Sequence, residues 1–262
     1  MKKYIVIGNP IDHSLSPKLH NFWFKKNNIN AVYEKKKLEN SEIENLIIDL
    51  KKENINGINV TVPFKKEVIP YLDKLSIEAS KTQSVNTIYL EGDKAVGHNT
   101  DIEGFELAIK NLKMNFKNKT VLLLGAGGVV PSLIFSLLEM KVSEIFLSNR
   151  TKTKADQLKK LFGRIEVINW GKIPNVDVII NATSLGLNKY DKFNLNFSKI
   201  KNKFFYDVIY NPKETEFLKN GKKLGNITEN GKMMFIYQAQ LAFKIWHNIL
   251  PEIDKEIVKL LD

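Results

Sequence analysis

The chain has 262 residues, 43% of them hydrophobic and 26% charged, which gives it length for two domains and the composition of a folded globular protein. It lacks cysteine, which excludes disulfides, zinc–thiolate sites, iron–sulfur clusters and a cysteine nucleophile. The net charge of +11 raises the question of a nucleic-acid partner, but Arg150 and Arg164 are the sole arginines among 40 basic residues, and nucleic-acid readers lean on Arg.

Strands and helices alternate along the chain. A buried strand is expected over 4–7, ending in the turn residues Gly8, Asn9 and Pro10. Ser16 followed by Pro17 reads as an N-cap with proline at the first helical position, opening a helix that runs to about Asn27. A strand over 31–37 follows, then a helix capped by Ser41 with Glu44 completing a capping box and Ile43, Leu46, Ile47 and Leu50 on one face. Residues 57–62 form a strand stopped by Pro63, and short helical stretches reach about Lys81. Residues 86–90 and 94–98 pair as a hairpin across Glu91, Gly92 and Asp93, and a helix runs from about Asp101 to Leu112. The polar loop 113–119 reads as a domain junction.

The second half restarts as strand, glycine turn and helix over 120–140, with a further strand at 144–148. Two more strands are expected at 177–181 and 203–208, and two final helices over 233–248 and 252–261. Such alternation predicts an α/β protein of two domains, each with a mostly parallel sheet. The apolar run 4–7 is shorter than a signal-peptide core of about 7–15 residues. The uncharged stretch 120–138 is broken by Gly125, Gly127, Gly128 and Pro131, so a membrane span is not expected and the cytoplasm is the expected location.

Two groups of residues carry chemistry. Gly125-Ala126-Gly127-Gly128 follows an apolar strand and opens a helix, as a dinucleotide-binding turn does, although Val130 stands at the third glycine position. Where a NAD site places an acid on the ribose, this chain has Asn149-Arg150-Thr151, with Lys152 and Lys154 close behind. An Arg there suits a 2′-phosphate, which favours NADP over NAD. In the first half, polar residues gather at strand ends and turns: Ser14 and Ser16, Asn59 and Thr61 on one strand face, Lys65, Asn86, and Asp101 at a helix start.

The order and spelling of these motifs resemble the shikimate dehydrogenase family. Gly8-Asn-Pro-Ile-Asp-His-Ser-Leu-Ser-Pro17 with His20-Asn21 is similar to its opening signature, and Asn59-Val-Thr-Val-Pro-Phe-Lys65 to its strand and lysine. Val85-Asn86-Thr87, Asn99-Thr100-Asp101 with Gly104-Phe105, Asn181-Ala-Thr-Ser184 with Gly186, and Asp207-Val-Ile-Tyr210 with Pro212 and Thr215 follow in order. Gly231, Met234, Gln238-Ala239, Phe243 and Trp246 complete a resemblance that runs from Gly8 to Trp246. The departures are Gln83-Ser84 for the usual Gly-Ala, Val129-Val130 for small residues, and Met233 for a glycine.

The resemblance implies a reversible NADPH-dependent reduction of 3-dehydroshikimate to shikimate, on the way to chorismate and the aromatic amino acids. It implies that Ser14, Ser16 and Thr61 bind the ring carboxylate with Tyr210 nearby, and that Asn59, Lys65, Asn86, Asp101 and Gln238 belong to the substrate set. Lys65 and Asp101 become the catalytic pair, in which Lys65 shuttles the hydroxyl proton or anchors the ring as a charge. Gly125, Ala126, Gly127, Gly128 and Val129 cradle the pyrophosphate, and Asn149, Arg150, Thr151 and Lys154 meet the adenosine phosphate. Thr183 joins the cofactor set, and Val208 and Gly231 lie by the nicotinamide. Residues 1–100, completed by 232–262, form a substrate domain, and 101–231 a Rossmann-like NADP domain, with an active site between halves that close. The expected partner is the small-molecule substrate, with no nucleic acid, membrane or resident metal, in a monomer or homodimer. A quinate/shikimate dehydrogenase with relaxed cofactor use is the near rival, and a basic nucleic-acid-binding protein with a vestigial Rossmann fold is the distant one.

Overall fold

The structure is a computed structural model that describes residues 1–188, 191 and 193–261. The chain divides into two compact units, 1–104 with 236–262, and 105–235. Both divisions fall inside helices, and the polar loop 113–119 lies within the second unit.

The first unit opens with β1 (Lys2–Gly8), α1 (Ser16–Lys26), β2 (Ala31–Lys37), α2 (Ile43–Lys51) and β3 (Gly57–Val60). It continues with β4 (Lys74–Leu75), α3 (Ile77–Thr82), the hairpin β5 (Thr87–Glu91) and β6 (Lys94–His98), and the start of α4 (Asp101–Asn111). Its six strands lie in the order β2-β1-β3-β5-β6-β4. β1 runs parallel to β2 and β3, and β4 to β6, while β5 is antiparallel to both of its neighbours. The two-residue turn at Gly92 and Asp93 can only reverse the chain, so the hairpin is antiparallel by construction. Residues of α2, including Ile43, Leu46, Ile47 and Leu50, bury one face in a core with Ile5, Ile7, Ile58 and Ile88. Each such side chain contributes about 1.5–3 kcal/mol of burial.

The second unit is a parallel α/β sheet. It contains β7 (Thr120–Leu124), α5 (Val130–Glu139), β8 (Glu144–Ser148), α6 (Lys152–Phe162), β9 (Glu166–Ile168), β10 (Val178–Asn181), β11 (Phe204–Asp207), α7 (Glu216–Lys223) and β12 (Ile227–Glu229). The order is β12-β11-β10-β7-β8-β9, with every pairing parallel, so all strands point their C-terminal ends to one edge. Strands of this kind are covered on both faces and read as unbroken apolar runs, as Val121 to Leu124 and Val178 to Ile180 do.

The chain ends with α8 (Lys232–His247) and α9 (Lys255–Leu260). From residue 236 onward α8 belongs to the first unit. There the indole Nε1 of Trp246 donates to the Ile88 carbonyl at 3.2 Å, and Phe243 and Trp246 pack among Trp23, Phe24, Tyr4 and His20. Among the described residues no helix is long and apolar enough to cross a membrane, and no group of three or more His, Asp or Glu is placed to hold a metal.

Two caps differ from the sequence reading. Leu15, not Ser16, is the N-cap of α1, because Ser16 is already helical and its N–H donates to the Ser14 hydroxyl at 3.3 Å. Ser41 and Glu44 do not form the cap of α2, because a short 3-10 turn (Asn40–Glu42) precedes that helix and the Glu42 carboxylate accepts from the Glu39 N–H at 2.8 Å. β3 ends at Val60, two residues before the expected end, because the chain turns into the Pro63 bend there.

Candidate active site

In the first unit the polar residues collect where β1 and β3 end and the antiparallel β5 begins. The Thr61 N–H donates to Ile7 O at 2.9 Å and the Asn9 N–H to Val62 O at 3.0 Å, which lays the turn after β1 against the residues after β3. Ser14 and Ser16 follow that turn, and Thr61 stands beside it. Lys65 comes next in the bend, and its carbonyl accepts from the Val85 N–H at 2.8 Å, which brings the approach to β5 alongside.

Asn86 joins the group together. Its Nδ2 donates to Asp101 Oδ1 at 2.9 Å, to the Thr100 hydroxyl at 2.9 Å and to Gln238 Oε1 at 3.4 Å. Its Oδ1 accepts from the Thr100 N–H at 2.8 Å and from the Thr87 hydroxyl at 3.0 Å. Asp101 turns its second oxygen, Oδ2, to the Lys65 ammonium in a buried ion pair. Lys65, Asn86 and Asp101 are 7%, 3% and 6% exposed, so this is a charged pair held in low dielectric by hydrogen bonds. Gln238 comes from α8, which crosses α4 at Gly104, where a Cβ would stand 2.9 Å from the backbone nitrogen of Gln238. Only glycine admits the two helices that close, and the approach carries Gln238 to Asn86.

Asn59 lies behind this group. Its Nδ2 donates to the Asn86 carbonyl at 3.0 Å and to the Thr87 hydroxyl at 3.1 Å, and its Oδ1 accepts from the Tyr33 hydroxyl at 2.6 Å. Both of its donors are thus spent inside the protein. Tyr33 stacks on His20 with centroids 4.3 Å apart. Tyr33, Thr87 and Thr100 hydrogen-bond into this network; Thr87 and Thr100 stood in the quoted motifs without an assigned role, and Tyr33 was not singled out. The signal available was that Thr87 and Thr100 each adjoin a residue already assigned to the site, Asn86 and Asp101, at the start of a strand and of a helix.

The second unit carries the other group at the C-terminal edge of its sheet, where parallel sheets bind ligands. The Gly125 N–H donates to Ser148 O at 2.8 Å, and the residue takes φ +111°. A Cβ there would lie 2.6 Å from the carbonyl oxygen of Ala182, so both conformation and space require glycine. Beside Gly127 the described residues leave open space where a Cβ would sit. Ala126, Gly128 and Val129 complete the turn, and α5 opens at Val130 with no side-chain cap from Val129. Val130 is fully buried, so the third position of the turn is filled by packing.

After β8 come Asn149, Arg150 and Thr151, with Asn149 Nδ2 donating to Thr151 O at 2.8 Å. α6 opens with Lys152 and Lys154 and has no acid in its first turn. Cations at a helix N-terminus are unfavourable unless an anion neutralises them. The open glycine turn and this positive helix start both fit a phosphorylated dinucleotide. Thr183 donates through its N–H and its hydroxyl to Asn181 Oδ1 at 3.1 and 2.7 Å. The Val208 N–H donates to Asn181 O at 2.9 Å, the Gly231 N–H to Ile209 O at 3.1 Å, and Tyr210 stacks on Phe235 at 4.2 Å. Tyr210 therefore lies in the second unit, while the rest of the expected substrate set lies in the first.

The family model for the shikimate dehydrogenase substrate binding domain matches residues 6–88, and that for shikimate / quinate 5-dehydrogenase matches residues 106–216. The shikimate dehydrogenase (NADP(+)) of Pelagibacter ubique is 61% identical over 262 residues, covering 100% of this chain and 99% of that protein. This chain belongs to the shikimate dehydrogenase family. Among solved structures, the shikimate dehydrogenase of Aquifex aeolicus is 36% identical with a TM-score of 0.89, covering 100% of this chain and 97% of that one. The Thermus thermophilus shikimate 5-dehydrogenase, solved with NADP(H) and shikimate, is 29% identical with a TM-score of 0.90, covering 100% and 98%. As a family member, the chain is an oxidoreductase fold of two α/β units, the second Rossmann-like.

Proposed function

We propose that this shikimate dehydrogenase family member reduces 3-dehydroshikimate reversibly to shikimate with NADPH, a step toward chorismate and the aromatic amino acids. The observation that carries this reading is the buried Lys65–Asp101 pair, with Asn86 and Gln238 hydrogen-bonded beside it, inside the unit that the substrate-binding family model matches. An ammonium, a carboxylate and two amides form a donor and acceptor set suited to ring hydroxyls. Hydroxyl donors from Ser14, Ser16 and Thr61 suit a carboxylate at the neighbouring strand ends.

Lys65 holds the proton that the carbonyl oxygen needs as it becomes a hydroxyl, and it takes that proton back in the oxidising direction. Asp101 orients the ammonium through Oδ2 and is itself fixed by Asn86 through Oδ1. Asn59 acts through Asn86 and Thr87, since its own donors are occupied there. When bound, NADPH supplies the hydride. Gly125, Ala126, Gly127, Gly128 and Val129 would hold its pyrophosphate. Arg150, with Asn149, Thr151 and Lys154, would hold its 2′-phosphate, and Thr183, Val208 and Gly231 would line its nicotinamide end.

The reading is tested with shikimate carrying deuterium on the carbinol carbon. Recovery of the label in the reduced nicotinamide supports it, and recovery of the label in water overturns it.

A further inference from the structure

The second unit contains a buried carboxylate that the chemistry above does not use. Asp207 closes β11 and has no exposed surface. Its Oδ1 accepts from Asn181 Nδ2 at 3.1 Å and from the Ile209 N–H at 3.0 Å, and its Oδ2 accepts from the Thr215 hydroxyl at 2.6 Å. Burial still pushes its carboxyl up to about 6. A charge in such a place destabilises the fold relative to an apolar residue, so its retention asks for another reason.

That reason lies in what the bonds join. The Ile209 N–H ties the loop after β11 back to its own start. Thr215 stands at the far end of the same loop, where its hydroxyl also accepts from the Leu218 N–H at 3.4 Å and caps α7. Asn181 closes β10, and its amide holds the loop there, donating to Leu185 O at 3.2 Å and accepting from Thr183. Ala182, the next residue, is the one pressed against Gly125. β11, β10 and β7 are neighbours in the sheet, so one cluster fixes the loops that leave two of these strands and rests against the glycine turn that leaves the third. Between Asp207 and Thr215 the chain carries Val208.

We propose that Asp207 is a positioning residue: with Asn181 and Thr215 it clamps the loops after β10 and β11, so that Thr183 and Val208 present a fixed surface to the nicotinamide end of the cofactor. This rests on the reaction proposed above. Thr215 is the sensitive probe, because Thr215→Val keeps the shape and removes the hydroxyl, whereas Thr215→Ser keeps the hydroxyl.

The test uses the full chain, at a temperature where circular dichroism shows each variant folded. It measures kcat with shikimate and NADP+, together with dissociation constants for NADP+ and for adenosine 2′,5′-bisphosphate, which lacks the nicotinamide end. Thr215→Val is expected to lower kcat about ten- to a hundredfold, as a displaced positioning group does, and to leave binding of the bisphosphate unchanged. Thr215→Ser restores kcat to within about threefold, and Asp207→Asn falls between the two because it keeps one oxygen acceptor. Wild-type kcat and an unchanged ratio of the two dissociation constants in Thr215→Val would overturn the proposal. So would a Thr215→Ser variant as impaired as Thr215→Val. A wild-type chain that turns over no shikimate would refute the reaction instead, and the clamp would then be judged on the ratio of the two constants, which Thr215→Val must shift toward the bisphosphate.

Discussion

The Lys65 ammonium and the Asp101 carboxylate, thirty-six residues apart in the chain, form a buried ion pair in which Asp101 is held on its other side by Asn86. In the proposed reaction Lys65 is the proton holder and Asp101 its anchor. Lys65→Ala is expected to lower kcat by about 10²–10⁴-fold while the KM for shikimate changes little, the pattern of a group that acts in the transition state. Steady-state kinetics in the oxidising direction decide this, and a near-normal kcat would reduce Lys65 to a binding residue.

Asn59 gives a prediction about stability. Asn59→Ala removes the acceptor that the Tyr33 hydroxyl uses and the donor shared by the Asn86 carbonyl and the Thr87 hydroxyl in a buried site, a loss of about 1–3 kcal/mol. Tyr33→Phe removes only the single donor to Asn59 Oδ1 and is expected to cost less. Urea unfolding of both variants checks the order, and equal stability of Asn59→Ala and the parent chain would refute the network.

Arg150 follows β8 at the start of a positively charged helix turn. Arg150→Asp is expected to lower the preference for NADP+ over NAD+, measured as the ratio of kcat/KM values, because a carboxylate repels the 2′-phosphate and accepts from a free ribose hydroxyl. An unchanged ratio would remove Arg150 from the phosphate site.

His20 sits in a fully buried aromatic cage among Trp23, Phe24, Tyr33, Phe243 and Trp246. Burial, and then the nearby His247, lowers its pKa to about 3, while burial and Lys2 lower that of His247 to about 4. Both groups bind protons more readily once unfolded, so the stability they permit is fully present above about pH 6.5 and is lost as the pH falls toward 4 and then 3. The melting temperature should therefore drop steeply on the acid side, and His20→Phe should flatten that drop. An equally steep fall in His20→Phe would place the acid sensitivity elsewhere.

Much of this was legible in the sequence because the motifs lie where strands end. The glycine turn, the Asn149–Thr151 segment and the Lys65 bend were identifiable from residue type and spacing, since glycine, arginine and proline have narrow conformational or chemical uses. Spacing gave no means of knowing that Asp101 meets Lys65, which depends on the pairing of β3, β5 and β6, or that Gln238 meets Asn86, which depends on α8 packing against α4 at Gly104. Asn59 shows the opposite limit. The family resemblance put it in the substrate set, and the direction of its amide, toward Asn86 and Thr87, came only with the fold. The cap of α1 was misplaced by one residue because Ser14 and Ser16 offer equivalent hydroxyls, and only backbone angles separate the helical residue from its neighbour.

The most direct measurement is the appearance of reduced nicotinamide absorbance when the purified protein meets shikimate and NADP+, with quinate and NAD+ as controls. The account predicts rapid reduction with shikimate and NADP+ and much slower reduction when either control replaces its counterpart. Equal rates with quinate and NAD+, or no reduction with shikimate and NADP+, would contradict it.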